Sequence, residues 1–319
     1  MNDNVEVSVV VVTYNSIWDK LRQTLESILT QDDIRMQIIV ADDGSDVRHD
    51  SNIIEIMKKY EFDNYVITNS ETNQGTVENI YRAVKNAKGK YIKTIAPGDL
   101  LYHKETLRKW FDFMKKSKAV VSFGDAVYYC ASQNGVTLFP TKGSPIKKEL
   151  YTKEGKYKDI FIDYLLANDT ILGAAQMMES DAIQKYLELI KSKIIYAEDY
   201  MIRIMIFDNL RVCYFPHTVV WYEYGTGIST NNDSKWERLL YKDYEMSDRL
   251  IGERKEGTNA ITKRYLKYLR KSSLPMYIKK IYKVVMFPKI LYFRRKMKAG
   301  KKKLPRECDI EILKKTLSC

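Results

Sequence analysis

The sequence has few of the residues that hold small secreted or zinc-binding proteins together. Its 319 residues include four cysteines, none of them in a CxxC pair. The first residues lack the basic and apolar regions of a signal peptide, so we expect a cytoplasmic, reducing location and no structural zinc. The longest apolar runs, such as residues 7–12, are far shorter than the ~20 residues that cross a bilayer. The sequence thus predicts no transmembrane helix.

Two common phosphate-binding motifs are also missing. No GxGxxG turn follows the first predicted strand, which disfavours a dinucleotide site, and no GxxxxGK[ST] segment is present, which excludes a standard P-loop. A diphosphate ligand would need another partner. Strands that end in acids can hold a divalent metal, and such a metal neutralises phosphate charge.

The first hundred residues alternate between two periodicities. Residues 5–13 are nearly all β-branched and apolar, which is typical of a strand buried on both faces of a parallel sheet. Residues 17–29 then place apolar side chains at helical spacing. The same alternation predicts strands at 37–41, 65–68 and 91–95 and helices at 51–60 and 76–87. It indicates an α/β protein with an open, doubly wound, mainly parallel sheet.

Polar side chains follow three of these strands. Strand one runs into Thr13, strand two into Asp42 and Asp43, and strand four into Gly98 and Asp99. In such a sheet ligands bind beyond the carboxyl ends of the strands. We expect these residues to meet at one edge.

Beyond residue 100 the pattern is looser. It predicts separate strands at 119–123, 126–130, 211–215 and 218–224, and only helices after residue 235. We divide the chain into residues 1–232, with a nucleotide-binding half (1–100) and an acceptor half (101–232), and a helical basic region (233–319). Residues 254–306 hold 19 of the 53 Lys and Arg but one of the 41 acids, a net charge of +18. This indicates an electrostatic docking segment on an acidic body.

Five motifs follow one another in the chain. They are VSVVVVTYNS (7–16), DDGSD (42–46), Asn73-Gln74-Gly75 with Asn79, PGD (97–99) and Glu198-Asp199. Together they resemble the family 2 glycosyltransferases, of the bacterial surface-polysaccharide type, over roughly residues 5–230. The resemblance implies a GT-A fold and an inverting, nucleotide-sugar-dependent, metal-dependent enzyme of the hexosyltransferase type.

The resemblance also implies a role for individual residues. Thr13 and Tyr14 would cradle the base and ribose, and Asp43 would accept a hydrogen bond from uracil. The whole set expected at the nucleotide-sugar is Thr13, Tyr14, Asn15, Asp42, Asp43, Asn73, Gly75, Asn79 and Gly98. Asp199 would be the general base, supported by Glu198.

For the metal, Mn²⁺ or Mg²⁺, the resemblance implies Asp99 as ligand. Acids are commoner at the two positions that Ala96 and Gly98 fill here. Such ions keep several waters, so one carboxylate with diphosphate oxygens is a feasible set. His217 follows Pro216 near the presumed site and is a further candidate for the metal or the diphosphate.

Each assignment has a structural alternative. The DDGSD run also suits a turn and a helix cap, and Asp99 also suits a turn. The acids at 198 and 199 also suit a helix N-terminus, where the helix dipole favours negative charge. His217 suits a structural role equally well. Finally, Trp221, Tyr222 and Tyr224 suit either stacking on an acceptor sugar or ordinary packing.

We predict transfer of a sugar from a UDP-sugar to a hydroxyl of a lipid-linked saccharide, at the inner face of the cell membrane. The basic, aromatic-rich segment 254–306 suits an anionic membrane surface, or a helical subdomain packed on the body or on a second subunit. The alternatives are a nucleic-acid-binding protein that uses this segment and a nucleotidyltransferase on a similar sheet.

Overall fold

The computed structural model describes residues 5–132, 135–225, 227, 234–271, 275–299 and 303–318. In these residues nine strands form one sheet, in the order β3-β2-β1-β4-β8-β6-β9-β5 with β7 beside β6. The strands are β1 (Val7–Thr13), β2 (Met36–Asp42), β3 (Tyr65–Asn69), β4 (Tyr91–Ile95), β5 (Leu100–Leu101), β6 (Val121–Ser132), β7 (Gly135–Phe139), β8 (Gln176–Glu179) and β9 (Val212–Glu223).

The first half of the sheet is entirely parallel. β1 lies between β2 and β4, and β2 also pairs with β3. β1 and β2 are buried along nearly their whole length, because helices cover both faces of the sheet. The predicted α/β fold is confirmed, and the strand–helix alternation of the first hundred residues matches the structure.

The second half is mixed and differs from the expectation in one respect. β6 and β9 are single strands of 12 residues each, where the sequence predicted four short ones. Their parallel pairing shifts register around Asp125, opposite the segment that contains Pro216. Gly124 and Pro216 look like strand ends in the sequence, but here they mark a bulge, which bends a strand without ending it.

Helices cover the two faces of the sheet with separate apolar clusters. One cluster draws on α1, α2 and α4, and the other on α3 and on α6 to α11. In the described residues the α-helices are α1 (Trp18–Leu29), α2 (Asp50–Lys59), α3 (Thr76–Val84), α4 (Thr106–Ser117), α5 (Tyr157–Phe161), α6 (Ser180–Ile190), α7 (Met201–Phe207), α8 (Ser234–Gly252), α9 (Ala260–Leu269), α10 (Met276–Met286), α11 (Lys289–Ala299) and α12 (Ile310–Ser318).

The basic C-terminal region is helical, as predicted, and it packs on the body. Tyr265, Phe287, Ile290 and Phe293 are buried in the same cluster as α3 and α7. The core therefore continues from the body into α8 to α11. The division of the chain into two regions at residue 232 stays a prediction. Among the described residues, no helix is both long enough and apolar enough to span a membrane.

Candidate active site

The carboxyl ends of β1 and β2 meet, as the sequence predicted. Thr13 pairs with Asp42, and the Asp43 N–H donates to the Thr13 carbonyl over 3.0 Å. Asn15 then ties the two following loops together: its backbone N–H donates to Ser45 Oγ (2.7 Å), and its Oδ1 accepts from the Asp46 N–H (2.9 Å). Tyr14 stands at this edge with 49% of its surface exposed, so its ring is accessible to a ligand.

The two neighbouring acids of DDGSD have different partners. Asp42 Oδ1 accepts from the N–H groups of Gly44 (3.0 Å) and Ser45 (2.8 Å), which orders the turn. Asp43 reaches across to the next segment, where it accepts from the N–H groups of Gln74 (3.1 Å) and Gly75 (2.8 Å). Burial raises the pKa of Asp43, and these two N–H bonds oppose that rise. Asp43 thus fixes the position of the 73–75 segment.

Gly75 lies against the acceptor half of the molecule. Its φ of +91° disfavours other residues, and a Cβ there would lie 2.5 Å from Ile195 Cγ2. The Val77 N–H donates to the Ile195 carbonyl over 3.0 Å. The nucleotide half and the segment that leads to Glu198 and Asp199 are therefore in direct contact at this point.

Two predicted binding residues of the 73–79 segment have hydrogen-bond partners within the protein. Asn79 is fully buried, where its Nδ2 donates to the Ala41 carbonyl (2.9 Å) and its Oδ1 accepts from Arg82 (2.7 Å). Asn73 Oδ1 accepts from the Gly75 N–H over 3.1 Å. Asn79 therefore shapes the wall of the site from behind, whereas Asn73 is exposed and remains accessible to a ligand.

The end of β4 places an acid beside β9. Asp99 is 4% exposed and accepts from the Glu223 N–H over 3.0 Å. Burial raises its pKa to about 7. Gly98, at φ +96°, leaves room for the Glu223 carboxylate, which a Cβ would meet at 2.4 Å. Lys20 in turn binds Glu223 over 2.7 Å, so Asp99 and Glu223 form a pair of carboxylates with a lysine beside it.

Lys93 is a residue of the site that the motifs did not indicate. It is fully buried in β4, and its ammonium donates to the carbonyls of Thr94 and Ala174. Burial lowers its pKa to about 7, and the negative charges of Asp99 and Glu198 oppose that decrease. A lysine inside the otherwise apolar β4 was the sequence signal for this role, because lysine is almost never fully buried without partners.

The candidate base and its neighbour lie on a 3₁₀ turn, Glu198–Tyr200, immediately before α7. Gly173 is close to both: a Cβ there would lie 3.3 Å from Glu198 Oε1 and 3.5 Å from Asp199 Cβ. Burial raises the pKa of both carboxyls, and the charge of Asp199 raises that of Glu198 further. Asp199 therefore ionises first and is the carboxylate of the two that is available to accept a proton.

Asp243 of α8 is a second residue that the sequence did not reveal. Its carboxylate accepts three backbone hydrogen bonds, from Ile195 (3.1 Å), Tyr196 (2.8 Å) and Ala197 (3.0 Å). These bonds hold the segment just before Glu198. No local motif marks Asp243, because it acts from a distant helix.

The structure does not bring His217 to Asp99. His217 lies on β9, six residues before Glu223, which corresponds to about 20 Å of extended strand. Its Nδ1 pairs with Glu307 over 2.9 Å and its ring packs on Phe215. His217 thus fits the structural role that its sequence position also suited, and not the role of a ligand beside Asp99.

The aromatic residues of β9 pack instead of lining the site. Trp221 is 1% exposed and stacks on Tyr102 at 5.0 Å, and Tyr222 packs on Tyr128 at 4.9 Å. Tyr224 is partly exposed, between Tyr128 and Phe139. Of the three, only Tyr224 presents a surface to a sugar.

Asp99 and Glu223 are the two carboxylates of the site that could offer oxygen ligands to a divalent ion. Over residues 5–318 as far as they are described, no cluster of three or more His, Cys, Asp or Glu could hold a metal ion. Two carboxylates suit an ion that keeps its waters and arrives with a diphosphate. The donor set therefore fits Mg²⁺ or Mn²⁺ bound together with a nucleotide.

Comparison with known proteins decides the family. The sequence model described as Glycosyl transferase family 2 matches residues 8–167, half of the chain. The chain belongs to this family. It is also 26% identical over 196 residues to the uncharacterized glycosyltransferase MJ1057 of Methanocaldococcus jannaschii, which covers 61% of this chain and 62% of that protein. The chain thus spans about three fifths of the length of this curated relative.

Solved structures agree on the fold of this family 2 chain. The crystal structure of S. aureus TarS 1–349 in complex with UDP has a TM-score of 0.56 at 15% identity, and covers 92% of this chain and 88% of that one. The crystal structure of the same TarS fragment in complex with UDP-GlcNAc has a TM-score of 0.55 at 14% identity, and covers 91% of this chain and 81% of that one. The predicted GT-A fold is confirmed. At this identity the likeness concerns the fold alone.

Proposed function

We propose that the protein is an inverting glycosyltransferase that moves a sugar from a UDP-sugar to an acceptor hydroxyl. The observation that carries this proposal is the contact between Gly75 and Ile195, which joins the nucleotide-half edge to the segment holding Glu198 and Asp199. A nucleotide held at the edge would have its reacting carbon near a partly buried carboxylate. Family membership supports the same activity.

The chain's residues divide the chemistry between them. Asp199 accepts the proton of the acceptor hydroxyl while that oxygen attacks the anomeric carbon from the face opposite the diphosphate. Because a carboxylate is a weak base, the proton moves late, when the attacking oxygen has become acidic. Glu198, whose pKa lies higher, stays protonated and does not compete. Asp243 holds the preceding backbone, so Asp199 is positioned before the acceptor arrives.

A divalent ion, Mn²⁺ or Mg²⁺, is part of the proposal. Asp99 and Glu223 would hold it, and it would neutralise the charge of the departing diphosphate. Titration of UDP with and without Mn²⁺ tests this in the wild type and in Asp99→Ala. We expect the variant to lose the metal-dependent part of UDP affinity and to bind uridine normally. Unchanged metal dependence would place the ion elsewhere.

The choice of donor and acceptor rests on separate support. The TarS structures that share the fold hold UDP and UDP-GlcNAc, which favours a uridine nucleotide here. The acceptor we propose is a lipid-linked saccharide at the cytoplasmic face of the membrane, because the body carries a strongly basic segment that suits an anionic surface. Synthesis of a surface polysaccharide follows from such an acceptor.

The decisive experiment is a nucleotide-sugar hydrolysis screen with Mn²⁺, Mg²⁺ and chelator. We expect slow release of UDP from at least one UDP-sugar, and faster release when a suitable acceptor is added. Asp181→Asn, an exposed acid on α6, is the control variant. No hydrolysis of any donor, together with a salt-dependent gel shift, would favour the nucleic-acid-binding alternative; release of pyrophosphate from nucleotides would favour a nucleotidyltransferase.

A further inference from the structure

Helix α10 has an apolar face that points to solvent. Tyr277, Ile281 and Val285 follow one another at intervals of four residues and therefore lie on one side of the helix. They are 67%, 63% and 71% exposed, and Ile278 beside them is 37% exposed. We call these four residues the α10 outer face.

Two of the three lysines of α10, Lys279 and Lys283, point the other way. The ammonium groups of Lys279 and Lys283 lie 5.7 and 5.6 Å from the centre of the Tyr268 ring, on the body side of the helix. Burial there lowers the pKa of Lys283 to about 8. Tyr282, Val284 and Met286 also pack against the body, so α10 carries apolar side chains on both its inner and its outer side, whereas a surface helix of a soluble protein normally has a polar outer side.

Folding does not require the exposed apolar residues of the α10 outer face. The adjoining residues Phe287, Ile290 and Phe293 are 3%, 0% and 3% exposed and fix α10 and α11 to the body. The outer face adds apolar surface beyond what these anchors need. Its exposure thus points to an occupant outside the described chain.

The charge around the face indicates the chemistry of that occupant. Residues 275–299 hold eight Lys and Arg and no acid, and Lys280 of α10 and Lys289 and Arg295 of α11 are exposed. Asp159 pairs with Lys289 over 3.2 Å and offsets part of this charge. A second copy would bring the same positive charge and be repelled, whereas an anionic bilayer offers both negative headgroups and an apolar interior.

We infer that the α10 outer face inserts into the interface of an anionic lipid bilayer, with Lys280, Lys289 and Arg295 contacting headgroups. The aromatic residues of segment 254–306 suggested membrane binding in the sequence. In the structure most of them anchor this segment to the body instead. This inference deepens the proposed membrane location and does not rest on glycosyl transfer: if it fails, the lipid-linked acceptor loses its support, whereas the transferase activity keeps its own test.

The test compares binding of the full chain to two kinds of vesicle. One contains phosphatidylcholine alone, and the other equal parts of phosphatidylcholine and phosphatidylglycerol. The test variant is Tyr277→Gln/Ile281→Gln/Val285→Gln, and Ile54→Gln is the control, because Ile54 is an isoleucine on α2 that is 50% exposed. Glutamine is a good helix former, so the helix should persist in both. Circular dichroism and thermal unfolding verify that each variant is folded.

We expect the wild type and Ile54→Gln to sediment with the anionic vesicles, and the triple variant to bind at least about tenfold more weakly. Binding should fall as salt rises, because charge attraction is screened over ~8 Å at physiological ionic strength. Equal binding of wild type and triple variant would overturn the inference, as would no binding of the wild type at low salt. A wild-type dimer in ultracentrifugation that the triple variant abolishes would assign the face to self-association instead.

Discussion

The sheet edge and α10 both depart from the usual distribution of residues, but in opposite directions. At the edge, Lys93 and Asp99 are charged groups buried within the protein. On α10, Ile281 and Val285 are apolar groups exposed to water. Each arrangement costs free energy in the isolated chain, since charges lose hydration and apolar surface gains it.

The comparison separates two ways in which a fold prepares for a ligand. The acids of the site are held in place: Asp43 and Asp99 at the edge and Asp243 on α8 all accept backbone hydrogen bonds from other elements. The α10 residues are held only by their own helix. A site that positions reacting atoms needs the first arrangement, whereas a surface that meets a fluid bilayer needs only the second.

The largest effect that would test the edge comes from Asp199→Asn. We expect turnover to fall by about 10²–10⁴-fold, because the variant lacks the proton acceptor. Donor affinity should stay near the wild-type value, since the nucleotide contacts lie on β1, β2 and the 73–75 segment. Turnover measured beside calorimetric donor binding checks both. Wild-type turnover in this variant would remove Asp199 from its role.

Lys93→Met tests whether the buried cation tunes the acids around it. Its loss should raise the pKa of Asp99 and Glu198, so that they stay protonated up to a higher pH. Since a metal-binding carboxyl must be ionised, the higher pKa of Asp99 should move the acidic limb of the kcat/KM profile upward by about one pH unit. If Lys93→Met is unstable, Lys93→Gln replaces it in the same measurement, because its amide retains donors for the two carbonyls. Lys88→Met, at an exposed lysine, is the control. An unmoved limb contradicts the assignment.

Gly75→Ala should weaken donor binding and stability together. The new Cβ would combine a φ of +91° with a 2.5 Å approach to Ile195, so the 73–75 segment must shift. We expect a loss of about 1–3 kcal/mol in the free energy of unfolding. Gly155→Ala is a matched control, with φ +72° and no atom within 4 Å of the Cβ, so it measures the backbone cost alone. If urea unfolding and UDP titration gave equal results for both variants, the Ile195 contact would be unimportant.

The smallest expected effect concerns the exposed apolar residues of α10. Ile281→Ala should change the free energy of unfolding by no more than about 0.5 kcal/mol, because its side chain is already in water. Ile290→Ala, at a residue that is 0% exposed on the adjoining helix, should cost about 2–5 kcal/mol. Thermal or urea unfolding of the two variants measures the difference. A large cost at Ile281 would mean that the outer face has an occupant within this chain.

Local sequence determined the α/β fold and most of the edge. The β-branched runs predicted β1 and β2, and the chain direction of parallel strands put Thr13, Asp42 and Asp43 at one edge, because successive parallel strands end on the same side. The motif order identified the family. The four short strands predicted between residues 119 and 224 are two long ones, because the breaks in the pattern near Gly124 and Pro216 correspond to a bulge.

Only the tertiary structure decided which side chains face the site and which face the core. Asn79 belongs to the expected motif yet is fully buried, while Asp243 belongs to no motif yet holds the segment before the candidate base. The same holds for the tail: its sequence shows lysines mixed with apolar residues, but packing of Phe287 and Phe293 on the body turns Ile281 outward. Periodicity shows which residues share one face of a helix or strand. Whether that face points to the core, the site or solvent depends on contacts between residues far apart in sequence.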